Sequence, residues 1–316
     1  MENINKIWGT CSTLVDEVGK AVIGKSNVLK YVIAGILSNG HILFEDFPGL
    51  AKTMMARTFA KTLGCRFKRV QFTPDVLPAD IIGTYIFDEK ESEFKLRQGP
   101  IFTNILLADE INRAPPKTQS ALLEAMQETQ VTIDGITHIL PKPFMVFATQ
   151  NPIEYEGTYP LPEAQIDRFL MKLSIGYPSR GDEKEILRRR VKREKDEVDI
   201  NTIANPETVI KMQKAVEKVH IDDSLQDYIV EVVSRTRKDS RVFLGASPRG
   251  SLALFKISRA LALLSNRDYV SPDDVKSSVI PGLAHRLILK PEVTVRGIGP
   301  EDILNKILLE VPVPAL

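Results

Sequence analysis

Between residues 41 and 175 short apolar runs alternate with amphipathic ones, and this alternation restricts the fold more than any other feature. His41–Phe44, Phe67–Phe72, Ile105–Ala108, Phe144–Ala148 and Met171–Ile175 each read as a strand. Ile105–Ala108 has no polar side chain, as suits a strand buried on both faces. Met171, Leu173 and Ile175 alternate with Lys172 and Ser174. Met55, Phe59 and Leu63 share one side of a predicted helix that Gly64 ends. Two prolines open another helix over Ala114–Glu128. Strands separated by helices predict an α/β fold, with a parallel five-stranded sheet covered on both faces.

Two segments are surplus to that sheet. Tyr85–Phe87 and Phe94–Leu96 flank a charged tip and read as a hairpin. Val131–Ile133 and Ile136–His138 flank Asp134-Gly135, a strong hairpin turn signal. Upstream, residues 3–20 form an amphipathic pattern with Ile4, Ile7, Cys11, Leu14, Val15 and Val18 on one face; a second helix is predicted over 27–37. Beyond Tyr177-Pro178 the periodicity is helical. Ser247-Pro248 and Ser271-Pro272 are helix starts, and Asp274 completes a near capping box with Ser271. The expected organisation is an αβα core over 1–176, a connecting helix over 177–200 and a helical domain over 201–316.

Composition excludes several classes. Lys and Arg number 42 against 41 Asp and Glu, so net charge gives no case for a dedicated nucleic-acid binder. Two cysteines, Cys11 and Cys65, do not make a disulfide framework. His41, His138, His220 and His285 lack zinc-site spacing. No signal peptide or membrane span is expected, and the cytoplasm is the expected location. The run Arg188-Arg189-Arg190, Lys192, Arg193 is interleaved with acids and reads as a self-compensating solvated helix face.

The segment Glu45-Asp46-Phe47-Pro48-Gly49-Leu50-Ala51-Lys52-Thr53 lies between a predicted strand and a predicted helix. That context aims backbone N–H groups and a helix N-terminus at an anion. Lys52 would reach nucleotide phosphates and Thr53 would hold Mg²⁺. The strict G-x-x-x-x-G-K-[ST] pattern fails at both glycines, where Asp46 and Ala51 stand. Taken alone, the segment fits a surface turn equally well. The strand Ile105–Ala108 ends in Asp109-Glu110, and ligands bind at the carboxyl edge of such sheets. Asp109 would help hold the metal, and Glu110 would orient and polarise an attacking water. The next strand ends in Thr149-Gln150-Asn151-Pro152, and Asn151 could hydrogen-bond both water and phosphate.

Phosphate loop, acidic strand end, asparagine strand end and helical tail, in that order, resemble the AAA+ ATPases. Leu107–Glu128 (LADEINRAPPKTQSALLEAMQE), Val131–Gly135, Phe147–Phe169 (FATQNPIEYEGTYPLPEAQIDRF) and Ser247–Leu252 (SPRGSL) resemble the MoxR family within them. The likeness spans nearly the whole chain. It implies Walker A roles for Lys52 and Thr53, and Walker B roles for Asp109 and Glu110. Asn151 matches sensor 1, Arg168 the arginine finger, and Arg249 sensor 2, placed in the first turn of a helix to reach back to the γ-phosphate. Pro48, Gly49, Leu50, Ala51 and Met54 would line the nucleotide. Val22 and Ile23 match the adenine pocket, with Lys25 where glutamine is commoner. The two hairpins match the helix-2 insert and the insert before sensor 1.

The resemblance also implies an ATP hydrolase, converting ATP and water to ADP and phosphate with Mg²⁺. An arginine finger acts across a subunit boundary, so it implies a homo-oligomeric ring, a hexamer, with Arg113 as a second candidate. Family likeness adds chaperone-like remodelling, assembly or cofactor insertion of a client protein, and a partner with a von Willebrand factor A domain. The alternative is a nucleic-acid-dependent, helicase-like motor. The acidic tip Asp88–Glu93 argues against phosphate contact there.

Overall fold

A computed structural model describes residues 2–152 and 158–314, with side chains from Ile7 onward. The Ile4 side chain of the first predicted helix face, and residues 153–157 of the Phe147–Phe169 run, lie outside these.

Helices α1 (Glu2–Gly19) and α2 (Ser26–Leu37) come first, followed by β1 (Ile42–Glu45), α3 (Lys52–Thr62) and β2 (Phe67–Gln71). Next are α4 (Pro78–Ile82), the hairpin of β3 (Gly83–Asp88) and β4 (Glu93–Gln98), and β5 (Ile105–Asp109). Then come α5 (Pro116–Glu128), a second hairpin of β6 (Gln130–Ile133) and β7 (Ile136–Ile139), β8 (Met145–Gln150), α6 (Glu163–Ile166) and β9 (Met171–Leu173). The remainder is mostly helical: α7 (Arg180–Arg193), α8 (Pro206–Val216), α9 (Asp223–Lys238), α10 (Pro248–Leu264), α11 (Pro272–Leu283), α12 (Pro291–Thr294) and α13 (Pro300–Glu310). A small antiparallel pair, β10 (Val242–Leu244) with β11 (Ile288–Leu289), interrupts it.

The central sheet has the order β2-β5-β8-β1-β9, and every pairing in it is parallel. Alternate residues serve opposite faces, as the strand period requires. Ile42, Phe44, Ile105, Leu107, Met145 and Phe147 join the core shared with α1–α3 and the C-terminal helices. Leu43, Leu106, Ala108, Val146 and Ala148 join the core under α5 and the hairpins. Each large apolar side chain buried this way contributes roughly 1.5–3 kcal/mol. His41 is structural. Its Nδ1 accepts from the Val146 N–H at 3.0 Å, and its Nε2 lies 2.8 Å from the Met126 carbonyl. Burial pushes its pKa down to about 4.

The hairpins fall where the sequence puts them and touch each other, with the Tyr85 hydroxyl 3.3 Å from His138 Nε2. The arginine run of α7 is compensated: Arg189 pairs with Glu185 at 2.9 Å and Arg190 with Asp196 at 2.6 Å. Several short elements were not foreseen, helix α4 and the strands β10 and β11 among them. Helix α4 has Pro78 in its first turn and Asp80 accepting from the Leu77 N–H at 2.9 Å; the strands β10 and β11 are too short to show a period.

One strand is shorter than its alternation suggests. β9 stops at Leu173 rather than Ile175 because a buried carboxylate takes over the next polar groups. Asp46, at the end of β1, accepts from the Ser174 hydroxyl (2.7 Å), the Ile175 N–H (2.6 Å) and the Gly176 N–H (3.1 Å). This also explains why aspartate occupies a position where glycine was expected. Its carboxylate ties β1 to the end of β9.

A second tie joins the C-terminal helices to the sheet. α10 packs on α2 and α11 on β9. Arg286, just after α11, has a buried guanidinium that pairs with Asp167 at 2.8 Å. It also donates to the carbonyls of Phe169 (2.7 Å), Gly282 and Leu170. Burial draws its pKa down, and Asp167 opposes that.

Two stability predictions follow from these ties. Asp46→Gly brings the loop closer to the glycine-rich pattern, yet it should cost about 2–3 kcal/mol by removing three hydrogen bonds to a charged group. Urea unfolding measures this; unchanged stability would show that the tie is dispensable. Arg286→Met keeps most of the stem but strands Asp167, and it should cost about 3 kcal/mol or more. A midpoint equal to that of the parent would refute this.

Candidate functional site

Parallel strands send all their carboxyl ends to one edge, and the polar residues collect there. A cavity of about 410 Å³ opens at that edge, lined by the whole run Pro48–Met54, by Asp109 and Glu110 at the end of β5, and by Thr149 and Asn151 at the end of β8. Apart from Thr149, these are the residues that the sequence nominated for phosphate and metal, and the fold brings them to one place.

The loop after β1 is bent to meet the helix. Gly49 has φ 82° and Ala51 φ 59°. Ala51 is the N-cap of α3, so the left-handed conformation falls on a residue with a Cβ. Such a position costs an alanine roughly 1–2 kcal/mol relative to ordinary helical backbone. Glu110, across the cavity, is also left-handed at φ 58°. Strain of this kind tends to persist where the surroundings over-determine the backbone, as at binding sites. The Lys52 ammonium donates to the Asp46 carbonyl (2.8 Å) and the Phe47 carbonyl (3.0 Å). Burial lowers its pKa, while Asp46, Asp109 and Glu110 favour its charged form. The cavity thus holds a cation, carboxylates and the N-terminus of α3, whose first turn carries no acidic residue.

Both carboxylates are held by neighbours that, apart from Arg113, sequence reading did not single out. Asp109 Oδ1 accepts from the Thr149 hydroxyl at 2.6 Å. Asp109 Oδ2 accepts from Arg69 Nε (3.0 Å) and Nη2 (2.7 Å). Glu110 Oε2 accepts from Gln71 Nε2 at 2.7 Å and pairs with Arg113 at 3.1 Å. Arg69, Gln71 and Thr149 all stand at or near carboxyl ends of sheet strands. That placement was the available signal for them.

A second cavity, of about 190 Å³, shares Gly49, Leu50, Ala51 and Met54 with the first. Val22, Ile23, Ile175 and Pro178 make its wall apolar, and Lys25, which also lines it, donates to the Tyr177 carbonyl at 2.8 Å. A polar chamber and an apolar one meet at a single loop, which suits a ligand with a charged end and a flat apolar end.

Arg168 and Arg249 lie elsewhere. They line a third cavity, of about 350 Å³, with Asn39–His41, Phe144 and Leu170, residues that precede β1, β8 and β9. This is the amino edge of the sheet. It shares no lining residue with the Lys52 cavity. The four residues of β1 alone put about 13 Å between the two edges. Arg249 thus lies at the edge opposite Lys52, because the C-terminal helices pack beside β9 and carry it there. Arg168 donates to the Leu123 carbonyl at 2.8 Å, and Arg249 reaches Gln127 at 3.5 Å. Arg113 is engaged with Glu110 of its own chain.

Among the described residues no three His, Cys, Asp or Glu side chains converge on a metal-sized site. A hydroxyl and one carboxylate, Thr53 and Asp109, form the hard-oxygen pair that suits Mg²⁺, an ion that keeps several waters and shares phosphate oxygens. Among those residues no helix is long and apolar enough to cross a membrane.

Comparison with known proteins agrees with this geometry. The ATPase family associated with various cellular activities (AAA) matches residues 41–171, and the AAA lid domain matches 234–307. The chain is 51% identical to the uncharacterized protein YeaC of Bacillus subtilis, over 95% of this chain and 93% of that one. It is 44% identical to Chaperone MoxR1 of Mycobacterium tuberculosis, over 96% of this chain and 82% of the relative. A crystal structure of a candidate ATPase from Cytophaga hutchinsonii superposes with a TM-score of 0.93 at 43% identity, covering 99% of this chain and 98% of that one. With a phosphate-type loop, an acidic strand end and a helical lid in the matching order, this chain belongs to the MoxR family of AAA+ ATPases.

Proposed function

We propose that the chain binds Mg²⁺ and ATP at the carboxyl edge of its sheet, hydrolyses ATP there, and completes the site with arginines from a second copy in a ring. The single observation that carries this is the convergence of Lys52, Thr53, Asp109, Glu110 and Asn151 on one cavity.

In this reading the base lies against Val22 and Ile23, and the triphosphate follows Gly49–Lys52 to the N-terminus of α3. Lys52 releases the loop carbonyls and pairs with the terminal phosphates. Thr53 and Asp109 hold Mg²⁺, which neutralises phosphate charge when bound. Glu110 orients and polarises the attacking water, and Asn151 hydrogen-bonds water and γ-phosphate. These groups all belong to one chain.

Arg168 and Arg249 of the same chain stand apart from them. They line the amino-edge cavity together, with the sheet between them and Lys52. Their use in hydrolysis requires a neighbour whose carboxyl edge faces this chain's amino edge. Such a head-to-tail contact generates a ring when its rotation closes, and from the family likeness we assign a hexamer. Positioned guanidinium groups that meet charge only in the transition state raise the rate rather than the affinity.

Hydrolysis in such a ring would drive chaperone-like remodelling, assembly or cofactor insertion of a client protein. Support comes from the relative named a chaperone and from the hairpins, whose outer aromatics Phe87 and Phe94 are exposed at 53% and 68%. Family likeness supplies the partner class, a protein with a von Willebrand factor A domain, and the cytoplasm as location. A nucleic-acid motor is disfavoured, because the first hairpin's tip is acidic and the α7 arginines are partnered with carboxylates.

Glu110→Gln should bind ATP with affinity near that of the parent and hydrolyse it at least about a hundredfold more slowly; ordinary turnover would remove Glu110 from the reaction. Arg168→Ala should likewise keep binding and lose hydrolysis. Mixing Arg168→Ala with Glu110→Gln protein should restore part of the activity, because some interfaces then pair an intact Glu110 with an intact Arg168. A ring that demonstrably mixes yet gains nothing contradicts action across the boundary.

A further inference from the structure

Asp109 is the one carboxylate assigned to the metal, and both of its oxygens are engaged. Oδ1 takes the hydroxyl of Thr149 in a buried contact. Oδ2 takes two bonds from a single guanidinium, Arg69 Nε at 3.0 Å and Nη2 at 2.7 Å. Arg69 lies on edge strand β2, where the register pairs it with Leu107 and pairs Gln71 with Asp109. Its side chain therefore runs along the strand toward the carboxyl edge to reach Asp109. It lines the same cavity as Lys52 and Thr53.

A guanidinium that donates twice to one carboxylate oxygen fills the directions in which that oxygen could meet a hydrated dication. A dication beside it would also face a like charge at close range. The two cations exclude each other. Arg69 is free to yield: its side chain is 47% exposed, whereas that of Asp109 is 11% exposed. It has a second partner already in place, since Nη2 also donates to Gln71 Oε1 at 2.6 Å. Thr149 keeps Asp109 oriented whichever cation is present.

We propose that Arg69 and Mg²⁺ are alternative occupants of Asp109 Oδ2, so that Arg69 sets how strongly nucleotide binding depends on the metal. The inference rests on the phosphate-site reading above. With Arg69 on Asp109, the carboxylate is neutralised and the cavity accepts metal-free nucleotide without a bare acid beside its phosphates. Metal-bound nucleotide must displace Arg69, which weakens its binding. Arg69 thus narrows the gap between the two forms of the ligand.

The test is the ratio of two dissociation constants, measured on the full chain with a fluorescent, non-hydrolysable ATP analogue. One is taken with excess EDTA and the other with saturating Mg²⁺. Arg69→Gln removes the competing cation and should tighten the Mg²⁺ form while weakening the metal-free form, raising the ratio about tenfold. Arg69→Lys, which cannot donate twice in the guanidinium geometry, should raise it by about threefold and serves if the glutamine variant does not fold. An ion pair that only holds β2 to β5 would change both constants alike. An arginine that grips phosphate directly would weaken both. An unchanged or lowered ratio in either variant overturns the proposal. If the parent chain binds no nucleotide under either condition, the phosphate-site reading itself fails.

Discussion

All five sheet strands point the same way, and that polarity divides the chemistry between two edges. Apolar packing covers both faces of the inner strands, so their polar side chains gather where those strands end. At the carboxyl edge the chain places a lysine, a threonine, two carboxylates and an asparagine around one cavity. At the amino edge it places Arg168 and Arg249 in another. A single copy cannot fold one edge onto the other, because the sheet is a packed layer with apolar side chains on both faces. In the proposed mechanism the two sets of residues therefore meet between copies. Association then follows from the strand direction rather than from a surface patch.

Two substitutions in the phosphate loop illustrate how one position answers to several demands. Asp46 stands where the usual pattern has glycine, and its carboxylate, which does not line the Lys52 cavity, secures Ser174, Ile175 and Gly176. The loop is thereby tied to the segment that leads into the apolar chamber, so both chambers are braced by one side chain. Ala51 keeps the left-handed backbone that glycine would take freely. Its methyl group is the smallest that can be carried there. Both departures leave the curl of the backbone intact, and the curl rather than the glycine is what an anion meets.

Much of the architecture was legible because it is written in period and punctuation. The five strands, both hairpins and the helices after residue 177 carried apolar repeats or turn residues that no other reading accommodates as well. Lys52, Thr53, Asp109, Glu110 and Asn151 were legible as a group because each follows a strand or opens a helix. What the sequence hid was direction and distance. Nothing local in Ser247–Leu252 tells whether Arg249 will face its own phosphate loop. That depends on α10 packing against α2 and α11 against β9, contacts between residues far apart in the chain. Arg69 and Gln71 were hidden for a related reason. Alternating polar residues on an edge strand usually face solvent, and only the register of β2 on β5 turns them toward Asp109 and Glu110.

The central claim is most directly tested by the structure of the assembled protein with Mg²⁺ and a non-hydrolysable ATP analogue. The account predicts the terminal phosphate beside Lys52, the metal between Thr53 and Asp109, and the guanidinium groups at that phosphate coming from the adjoining copy. A nucleotide seated away from the Pro48–Met54 loop, or one met by Arg168 and Arg249 of its own chain, would contradict it.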